Sequence, residues 1–465
     1  MAFEKLAGHG NALLGFFQLK QMRRFRDEIV VHFIGGPLVE RGQVRVRQGG
    51  VGADDLLRTG DKIEIEQRKE TPAVFHELRF VFTGAEEFDP RAARILPLSG
   101  KSHAALGELA GEYRSWLDDH AEELSEEGET LDQLLADMTW TAGIGRSHFT
   151  HRAGVVFSDA GSLRDGLEAL VEAGEGSEPR VAAKAAFVYT GQDSQWVGMG
   201  EALYRSEPVI RAVLDQCDAW LQEERGVSLL DVMFGRSDSK GSLDDPAWAQ
   251  PAIYALECAL TAWWLSMGVR PSAVIGHDLG EIAAAQAAGV FSLKDGLLFA
   301  AARGADELET IFSDIAIAPP SITLISSTMG RTVGPDEILD ATYWREQASK
   351  PAELKKCAEA LSDFGIEGLV EIGPREAFGS MLASAWPGSA GDAGGPALIS
   401  SLHEPSGDEP VEDIYRKFVG ALAEVYEAGL PISFQGLFAG EARRRISLPG
   451  YPFQRRHHWI KASGR

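Results

Sequence analysis

The sequence predicts an α/β fold with a mainly parallel sheet. Short apolar runs that suit buried strands are followed at once by a turn rich in glycine and polar residues, and then by a helical pattern. A strand and its turn cover 186–200, and a strand, turn and helix cover 272–288. Strands that are buried on both faces of a parallel sheet show continuous apolar runs of this kind, and the repeated order of strand, turn and helix is typical of the α/β class.

Composition limits the classes of protein that fit. The chain has 465 residues, of which 44% are hydrophobic, so we expect two to four domains with sizeable cores. A formal net charge of −24 argues against a nucleic-acid partner. The basic clusters at 23–26, 443–445 and 455–458 are interpreted as solvated faces or short interface patches.

Cysteine usage and hydropathy predict the compartment. The three cysteines are scattered without metal-ligand spacing, which fits a reducing environment. We expect no signal peptide, and no apolar run reaches membrane-spanning length. We therefore expect a soluble cytoplasmic protein without a membrane partner.

The N-terminal segment, 1–92, is predicted to be one helix followed by antiparallel strands. The helix is expected near 11–24, and the expected strands are 28–34, 43–48, 62–67 and 75–83. A helix followed by a meander resembles the later part of the hot-dog fold of dehydratases and thioesterases, although the strand that would precede the helix is absent. Glu4 and His9 would be the catalytic groups of such a fold, but surface positions are the favoured interpretation.

The run Gly-His-Asp-Leu-Gly-Glu at 276–281 has the form of a nucleophile elbow. A sharp glycine-flanked turn between a strand and a helix holds one side chain above the sheet, with backbone N–H groups behind it to stabilise an oxyanion. Elbows that perform acyl transfer carry serine at this point. Here the side chain is that of Asp278.

Residues 93–180 carry a second set of motifs. The run Ile-Leu-Pro-Leu-Ser-Gly-Lys-Ser at 95–102 leads into a predicted helix at 103–123, and Gly-Arg-Ser-His-Phe at 145–149 is followed by His-Arg-Ala at 151–153. These runs resemble the linker that joins ketosynthase to acyltransferase in modular polyketide synthases. The resemblance implies a small α+β adaptor without chemistry of its own.

Two histidines in this segment raise the question of a metal. His148 and His151 have a spacing that a helix would place on one face, but no third or fourth ligand lies nearby in the sequence. We therefore expect no metal site.

Residues 181–440 resemble malonyl-type acyltransferases of polyketide synthases, and the tail at 441–465 resembles the post-acyltransferase linker that wraps back over the domain. Several runs carry this resemblance, in the family's order: Thr-Gly-Gln-Asp-Ser-Gln at 190–195, Gln-Pro-Ala at 250–252, Ala-Ala-Ala-Arg-Gly at 300–304, Glu-Ile-Gly-Pro at 371–374, and Leu-Pro-Gly-Tyr-Pro-Phe-Gln at 448–454. The proline of the second run is expected in the first turn of its helix.

The resemblance assigns a role to each candidate site residue. Asp278 stands at the position of the family's nucleophilic serine, and the backbone N–H groups of Gln192 and Leu279 would form the oxyanion hole. Substrate binding would fall to Arg303, which clamps the malonyl carboxylate in the family, and to Gln250 and His277. An alternative is left open for two of them: Arg303 forms a salt bridge with Glu281 or Asp278, and Gln250 fixes a loop. No cofactor is implied.

The sequence departs from the family in two places that matter for catalysis. Asp278 replaces the serine, and a carboxylate is a weak nucleophile toward a thioester; losing the nucleophile of a serine hydrolase costs on the order of 10⁶ in rate. In addition, only the eighteen residues 304–321 separate Arg303 from the next predicted strand at 322–327. That length cannot form the ferredoxin-like subdomain that carries the family's catalytic histidine. Asp193 also replaces a glycine of the family's pattern.

The favoured hypothesis is a degenerate acyltransferase that serves as a docking scaffold for a ketosynthase or an acyl carrier protein. Asp278 would then cap the helix of the elbow, although it removes the elbow's nucleophilic serine. Whether any enzyme activity remains is left open. One alternative is hydrolysis or decarboxylation of acyl-CoA or acyl-carrier thioesters, with Asp278 as general base and Arg303 as substrate ligand. Another is a hydrolase with Asp278 as nucleophile, because the elbow also resembles that of epoxide hydrolases and haloalkane dehalogenases.

Overall fold

The computed structural model describes residues 18–25, 28–34, 42–47, 91–120, 129–173, 184–236, 240–303, 315–388, 395–407, 409–438 and 441–454. The chain forms two compact units, Met1–Asp89 and Pro90–Arg465.

The first unit contains a three-stranded antiparallel sheet. Strand β1 (Gln18–Phe25) pairs with β2 (Glu28–Ile34), and β2 pairs with β3 (Gly42–Arg47). The antiparallel strands expected at 28–34 and 43–48 are therefore confirmed. The strands expected at 62–67 and 75–83 lie outside the described residues, as do Glu4 and His9.

The helix expected near 11–24 is wrong over 18–24, where the chain forms β1. Apolar residues at mixed helical spacing favour a helix here, but a bulge between Leu19 and Gln21 adds one residue to this strand. Leu19 thereby lies opposite Phe33, and Met22 lies opposite Val31, so the spacing also fits a strand. Pairing with a neighbouring strand outweighs the weak local preference for a helix.

The second unit begins with the α+β arrangement that the sequence predicts for 93–180. Strand β4 (Arg94–Gly100) pairs antiparallel with β5 (His151–Phe157), and the connections form α1 (His103–Asp119) and α2 (Glu129–Gly145), with α3 (Ala160–Glu172) after β5. The start of α1 is capped by the side chain of Ser102. Apolar side chains of these elements form a core of their own, which includes Tyr113 and Phe157.

A six-stranded sheet dominates the rest of the second unit, in the order β11-β10-β6-β7-β8-β9. Five of its strands are parallel, and the edge strand β9 runs antiparallel to β8. This confirms the mainly parallel sheet. The strands are β6 (Ala185–Tyr189), β7 (Ala273–Gly276), β8 (Thr323–Ser326), β9 (Arg331–Thr332), β10 (Gly368–Ile372) and β11 (Ala397–Ser400).

Helices accompany the strands of this sheet. They are α4 (Glu201–Ser206), α5 (Pro208–Arg225), α6 (Leu229–Met233), α7 (Pro246–Ser266), α8 (Gly280–Ala287), α9 (Leu293–Ala302), α10 (Ala341–Gln347), α11 (Leu354–Asp363), α12 (Phe378–Ser384), α13 (Val411–Glu427) and α14 (Phe434–Leu437). Helix α7 is buried from 249 to 264 and forms the centre of the core. Among the described residues, no helix is long and apolar enough to cross a membrane.

The sequence expectation for the start of α7 is wrong. Pro251 lies inside the helix, which begins five residues earlier at Pro246. The side chain of Asp245 caps the first turn by accepting from the N–H of Ala247, and Pro246 then has the fixed φ and missing N–H that the first turn tolerates.

The topology brings chemistry-bearing residues to one edge of the sheet. The carboxyl ends of β6, β7, β8 and β10 lie side by side, and ligands bind α/β sheets at this edge. Because β7 and β8 pair in parallel, the elbow after β7 and the loop after β8 are neighbours.

Candidate active site

The elbow after β7 has the geometry that its sequence predicts. Asp278 adopts φ of 51°, in the left-handed region, and α8 begins two residues later. The flanking glycines are required by close approach, because a Cβ on Gly280 would lie 1.9 Å from the carbonyl oxygen of Thr190, and one on Gly276 would lie 2.2 Å from the backbone of Gly280. Leu279 is the N-cap residue and α8 has no side-chain cap, so the expectation that Asp278 caps this helix is wrong.

The carboxylate of Asp278 is paired with Arg303 instead. Arg303 Nη2 lies 2.5 Å from Asp278 Oδ1 and also donates to Gln347 Oε1 at 3.3 Å. The Arg303 side chain is 5% exposed and that of Asp278 is 33% exposed. Of the interpretations left open for Arg303, the structure shows the ion pair with Asp278.

A buried network that the sequence did not indicate surrounds this pair. Gln347 Nε2 donates to the backbone carbonyl of Asp278 at 2.6 Å and to Glu281 Oε2 at 3.4 Å. Glu281 also accepts from the hydroxyl groups of Ser327, at 2.7 Å, and Tyr343. Burial raises the pKa of Glu281, and the hydrogen bonds from Tyr343 and Ser327 oppose that shift. No motif marks Gln347, because its role arises only from contacts with residues far away in the sequence.

The loop after β6 lies directly against the elbow. A Cβ on Gly191 would be 2.9 Å from His277 Nδ1 and 3.2 Å from Asp278 Cβ. The side chain of Gln250, on α7, donates to Gln192 Oε1 at 3.0 Å and so fixes this loop. The backbone oxyanion hole of Gln192 and Leu279 stays a prediction.

Asp193, which replaces the family's glycine, adopts the backbone conformation that glycine favours. Its φ is 70°, and its carbonyl oxygen accepts from Arg375, which also pairs with Glu404 at 2.6 Å. The side chain itself is exposed. The substitution therefore adds backbone strain next to the elbow without giving Asp278 a new partner.

Neither His277 nor His403 is hydrogen-bonded to Asp278. The ring of His277 packs on Phe378 with centroids 5.0 Å apart, and burial lowers its pKa, which favours the neutral imidazole at pH 7. His403 follows β11, three strands away from β7 in the sheet, and its charged neighbours are Lys417, Glu376 and Glu409. Three strand spacings are about 14 Å, too far for a hydrogen bond between the strands.

A cleft of about 340 Å³ opens beside the elbow. His277, Asp278, Ser327 and residues 347–352 line it. Asp278 therefore faces the cleft, whereas Arg303 does not line it. This volume lies near the lower end of the range of about 300–1,000 Å³ that is typical of ligand pockets in proteins.

Comparisons with known proteins agree with this geometry. Residues 186–311 match the family model of the acyl transferase domain, and residues 94–167 match the model described as CurL-like, PKS C-terminal. These matches support a polyketide synthase acyltransferase domain within this chain. The first match ends between α9 and β8, at the connection that is too short for the expected subdomain.

Relatives of the acyltransferase domain are much longer proteins. Polyketide synthase GfsB of Streptomyces halstedii is 28% identical over 456 residues, which cover 78% of this chain and 8% of GfsB. Orsellinic acid synthase of Armillaria mellea is 25% identical over 82% of this chain and 21% of its own length. The chain thus spans less than a quarter of either relative.

Solved structures show the same fold. The acyltransferase domain of ZmaA superposes with a TM-score of 0.67 at 20% identity, covering 78% of this chain and all of that domain.

His148 and His151, which lie in the segment before the acyltransferase domain, both contact other protein groups. His148 bonds through Nδ1 to the hydroxyl of Tyr426 at 2.7 Å and through Nε2 to the carbonyl of Gly143 at 2.8 Å. His151 packs edge-on against His103. In the part of the chain that the structure describes, no group of three or more His, Cys, Asp or Glu side chains is placed to hold a metal.

Proposed function

We propose that this acyltransferase domain has lost the serine mechanism of the family that it resembles and acts as a docking scaffold in a cytoplasmic polyketide assembly line. The observation that carries the proposal is the ion pair of Arg303 and Asp278 at 2.5 Å. The resemblance assigns one residue to the substrate's carboxylate and the other to the nucleophile's position. In this chain they bind each other.

The ion pair disfavours both nucleophilic attack by Asp278 and binding of a malonyl carboxylate by Arg303. A carboxylate whose Oδ1 is held by a guanidinium is a poor nucleophile, and its attack on a thioester would give a reactive mixed anhydride. An incoming malonyl carboxylate would have to displace Asp278 from a guanidinium that is 5% exposed and also bonded to Gln347. The two negative charges would repel each other in a site that is partly shielded from water.

The framework around the core supports the docking half of the proposal. Residues 441–454 lie along the α+β segment, where Leu448 and Pro449 accept from Arg146 at 2.9 and 3.0 Å. Near the end of the described part of this tail, the Phe453 side chain is exposed and its ring packs against that of Tyr451. A ketosynthase and an acyl carrier protein are the partners that we propose for these surfaces.

A second candidate keeps some chemistry at Asp278. The left-handed φ of the elbow is retained, and Asp278 is one-third exposed toward the cleft. These observations favour hydrolysis or decarboxylation of acyl thioesters with Asp278 as general base, or a hydrolase with Asp278 as nucleophile. Both would require Arg303 to release Asp278 during turnover.

One experiment separates the candidates. Free thiol release and intact protein mass are measured with a panel of acyl-CoA and acyl-carrier thioesters, for the wild type and for Asp278→Ala. We expect no adduct and no turnover above the variant. A mass increase, or turnover that disappears in Asp278→Ala, would establish chemistry at Asp278 and overturn the inactive half of the proposal.

The docking half is tested by binding. A purified polyketide ketosynthase and an acyl carrier protein are titrated separately against the wild type, Phe453→Ser and Asp278→Ala. We expect Phe453→Ser to weaken binding of one partner at least tenfold and Asp278→Ala to leave it unchanged. Failure of both partners to bind the wild type would contradict a docking role.

A further inference from the structure

Gln347 occupies a central position among the charged groups of the elbow. It is the last residue of α10 and is only 3% exposed. Its amide oxygen accepts from Arg303 at 3.3 Å, while its amide nitrogen donates to the Asp278 carbonyl at 2.6 Å and to Glu281 at 3.4 Å. A single side chain therefore contacts the cation of the pair, the backbone of its anion, and the neighbouring carboxyl group.

The helix that carries Gln347 is anchored at two further points. Tyr343 lies four residues earlier, on the same face of α10, and its hydroxyl donates to Glu281 on α8. Trp344 is buried and packs edge-on against Phe299 of α9, with ring centroids 5.3 Å apart. Since Arg303 directly follows α9, helix α10 is fixed to the elements that carry both members of the pair.

We propose that Gln347 is the positioning residue that keeps Arg303 paired with Asp278. Helix α10 thereby holds the elbow in the conformation in which these two side chains form their ion pair. The inference deepens the proposed function and rests on it, because it names the side chain that keeps the Asp278 carboxylate paired with Arg303. It concerns contacts within the free protein and needs no partner or substrate.

The chemistry of the side chain explains why an amide fits this position. An amide donates and accepts at once, so it can face a guanidinium and a carbonyl oxygen together. Leucine has a similar size and can do neither. Glutamate has the same shape, accepts from Arg303 as a full carboxylate, and cannot donate to the carbonyl of Asp278. Leucine at this position therefore tests whether packing alone holds the ion pair, and glutamate tests whether contact with Arg303 alone does.

The test is residue-specific chemical modification read by peptide mass. Phenylglyoxal reports the accessibility of Arg303, and a water-soluble carbodiimide with an amine reports the free carboxylate of Asp278. The proteins are the wild type, Gln347→Leu, Gln347→Glu, and Thr342→Ala as a control at an exposed position of the same helix. Circular dichroism melting establishes that each variant is folded.

The expected pattern differs between the variants. In Gln347→Leu both residues react at least tenfold faster than in the wild type. In Gln347→Glu the new carboxylate takes over Arg303, so Arg303 stays as slow as in the wild type while Asp278 reacts at least fivefold faster. Thr342→Ala matches the wild type.

Two results would overturn the proposal. Wild-type rates in Gln347→Leu would show that the pair holds without Gln347. Equal acceleration of both residues in both Gln347 variants would show that the side chain only packs. If the thioester assay instead found turnover in the wild type, the scaffold function would fail while these modification rates would still decide the role of Gln347.

Discussion

Asp278 has a backbone conformation that few residues other than glycine accept. Within the described ranges, Asp278 and Asp193 are the two non-glycine residues with positive φ, and they follow the adjacent strands β7 and β6. Aspartate tolerates this region better than most residues because its short polar side chain finds nearby hydrogen bonds. At Asp278 that bond goes to Arg303, so the same contact that neutralises the elbow also helps to hold its shape.

Removing the carboxylate of Asp278 is expected to destabilise the fold. Breaking a fully buried ion pair costs about 3–5 kcal/mol, whereas an exposed pair contributes about 0–1 kcal/mol. Because Arg303 is buried and Asp278 is one-third exposed, we expect Asp278→Ala to lower the free energy of unfolding by about 2 kcal/mol. Asp278→Asn, which keeps an acceptor and tolerates positive φ, should lose about half as much.

Urea denaturation at pH 7 measures this difference. Arg236→Ala is the control, because its pair with Asp231 is exposed, and it should change the free energy of unfolding by less than about 0.5 kcal/mol. An Asp278→Ala variant as stable as the wild type would mean that Gln347 alone satisfies Arg303.

At the scale of elements, two buried carboxyl groups lie beside β6, the strand that precedes the loop of Gln192. Glu257 of α7 is fully buried; its Oε1 accepts from Thr190 Oγ1 at 2.8 Å, and its Oε2 has no partner. Glu371 of β10 accepts through Oε1 from the N–H groups of residues 377–379 at the start of α12, and its Oε2 also lacks a partner. Burial raises the pKa of both carboxyl groups.

This raised pKa gives the stability of the fold a definite pH dependence. A folded state that holds a proton more tightly than the unfolded chain loses stability as the pH rises. The contribution of Glu257 is complete below its ordinary pKa of 4.5 and is lost as the pH rises toward the folded value. We expect Glu257→Gln, which keeps the acceptor for Thr190, to flatten the decline in unfolding free energy between about pH 5 and pH 8.

Chemical denaturation at several pH values in this range measures that slope. Glu359→Gln serves as the control, since Glu359 is exposed on α11 and should leave the slope unchanged. Parallel curves for Glu257→Gln and the wild type would contradict the expectation.

The elements around the site could be predicted because their signals are local. The apolar run before Gly276, the glycines of the elbow and the helix after them all follow from neighbouring residues, and the structure confirms them. The start of α7 was misplaced because two prolines lie five residues apart and only one fits a first turn after a capping aspartate. In the first unit, pairing between strands produced β1 where local spacing favoured a helix.

The contacts within the site could not be predicted in the same way. Motifs identify Asp278 and Arg303 separately, but the sequence leaves their pairing as one of several alternatives. Gln347 lies 69 residues from Asp278 along the chain and belongs to no recognised run. Its role follows from the packing of α10 on α8 and α9, which depends on tertiary structure.

At the scale of the whole molecule, the tail closes the second unit on itself. Residues 441–454 contact the α+β segment some 300 positions earlier in the chain: Trp116 donates to the Ser447 carbonyl at 3.1 Å, and Arg444 pairs with Asp137 at 3.0 Å. Side chains of the tail also take part, since the Tyr451 hydroxyl accepts from the Lys101 N–H at 3.0 Å and Leu448 is buried in the core of the α+β segment. The surface that we propose for docking is therefore built jointly from both ends of the unit.

Arg146 is the residue whose loss should release this tail. It donates to the carbonyls of Leu448 and Pro449, and two hydrogen bonds of about 1 kcal/mol each correspond to a roughly thirtyfold larger population of the open tail. Since proteolysis follows that population when closing is fast, Arg146→Ala should be cut by trypsin at 443–445 about ten to thirty times faster than the wild type. Arg164→Ala removes an exposed pair with Asp118 and should be cut at the wild-type rate. Equal rates in all three proteins would show that the other contacts hold the tail without Arg146.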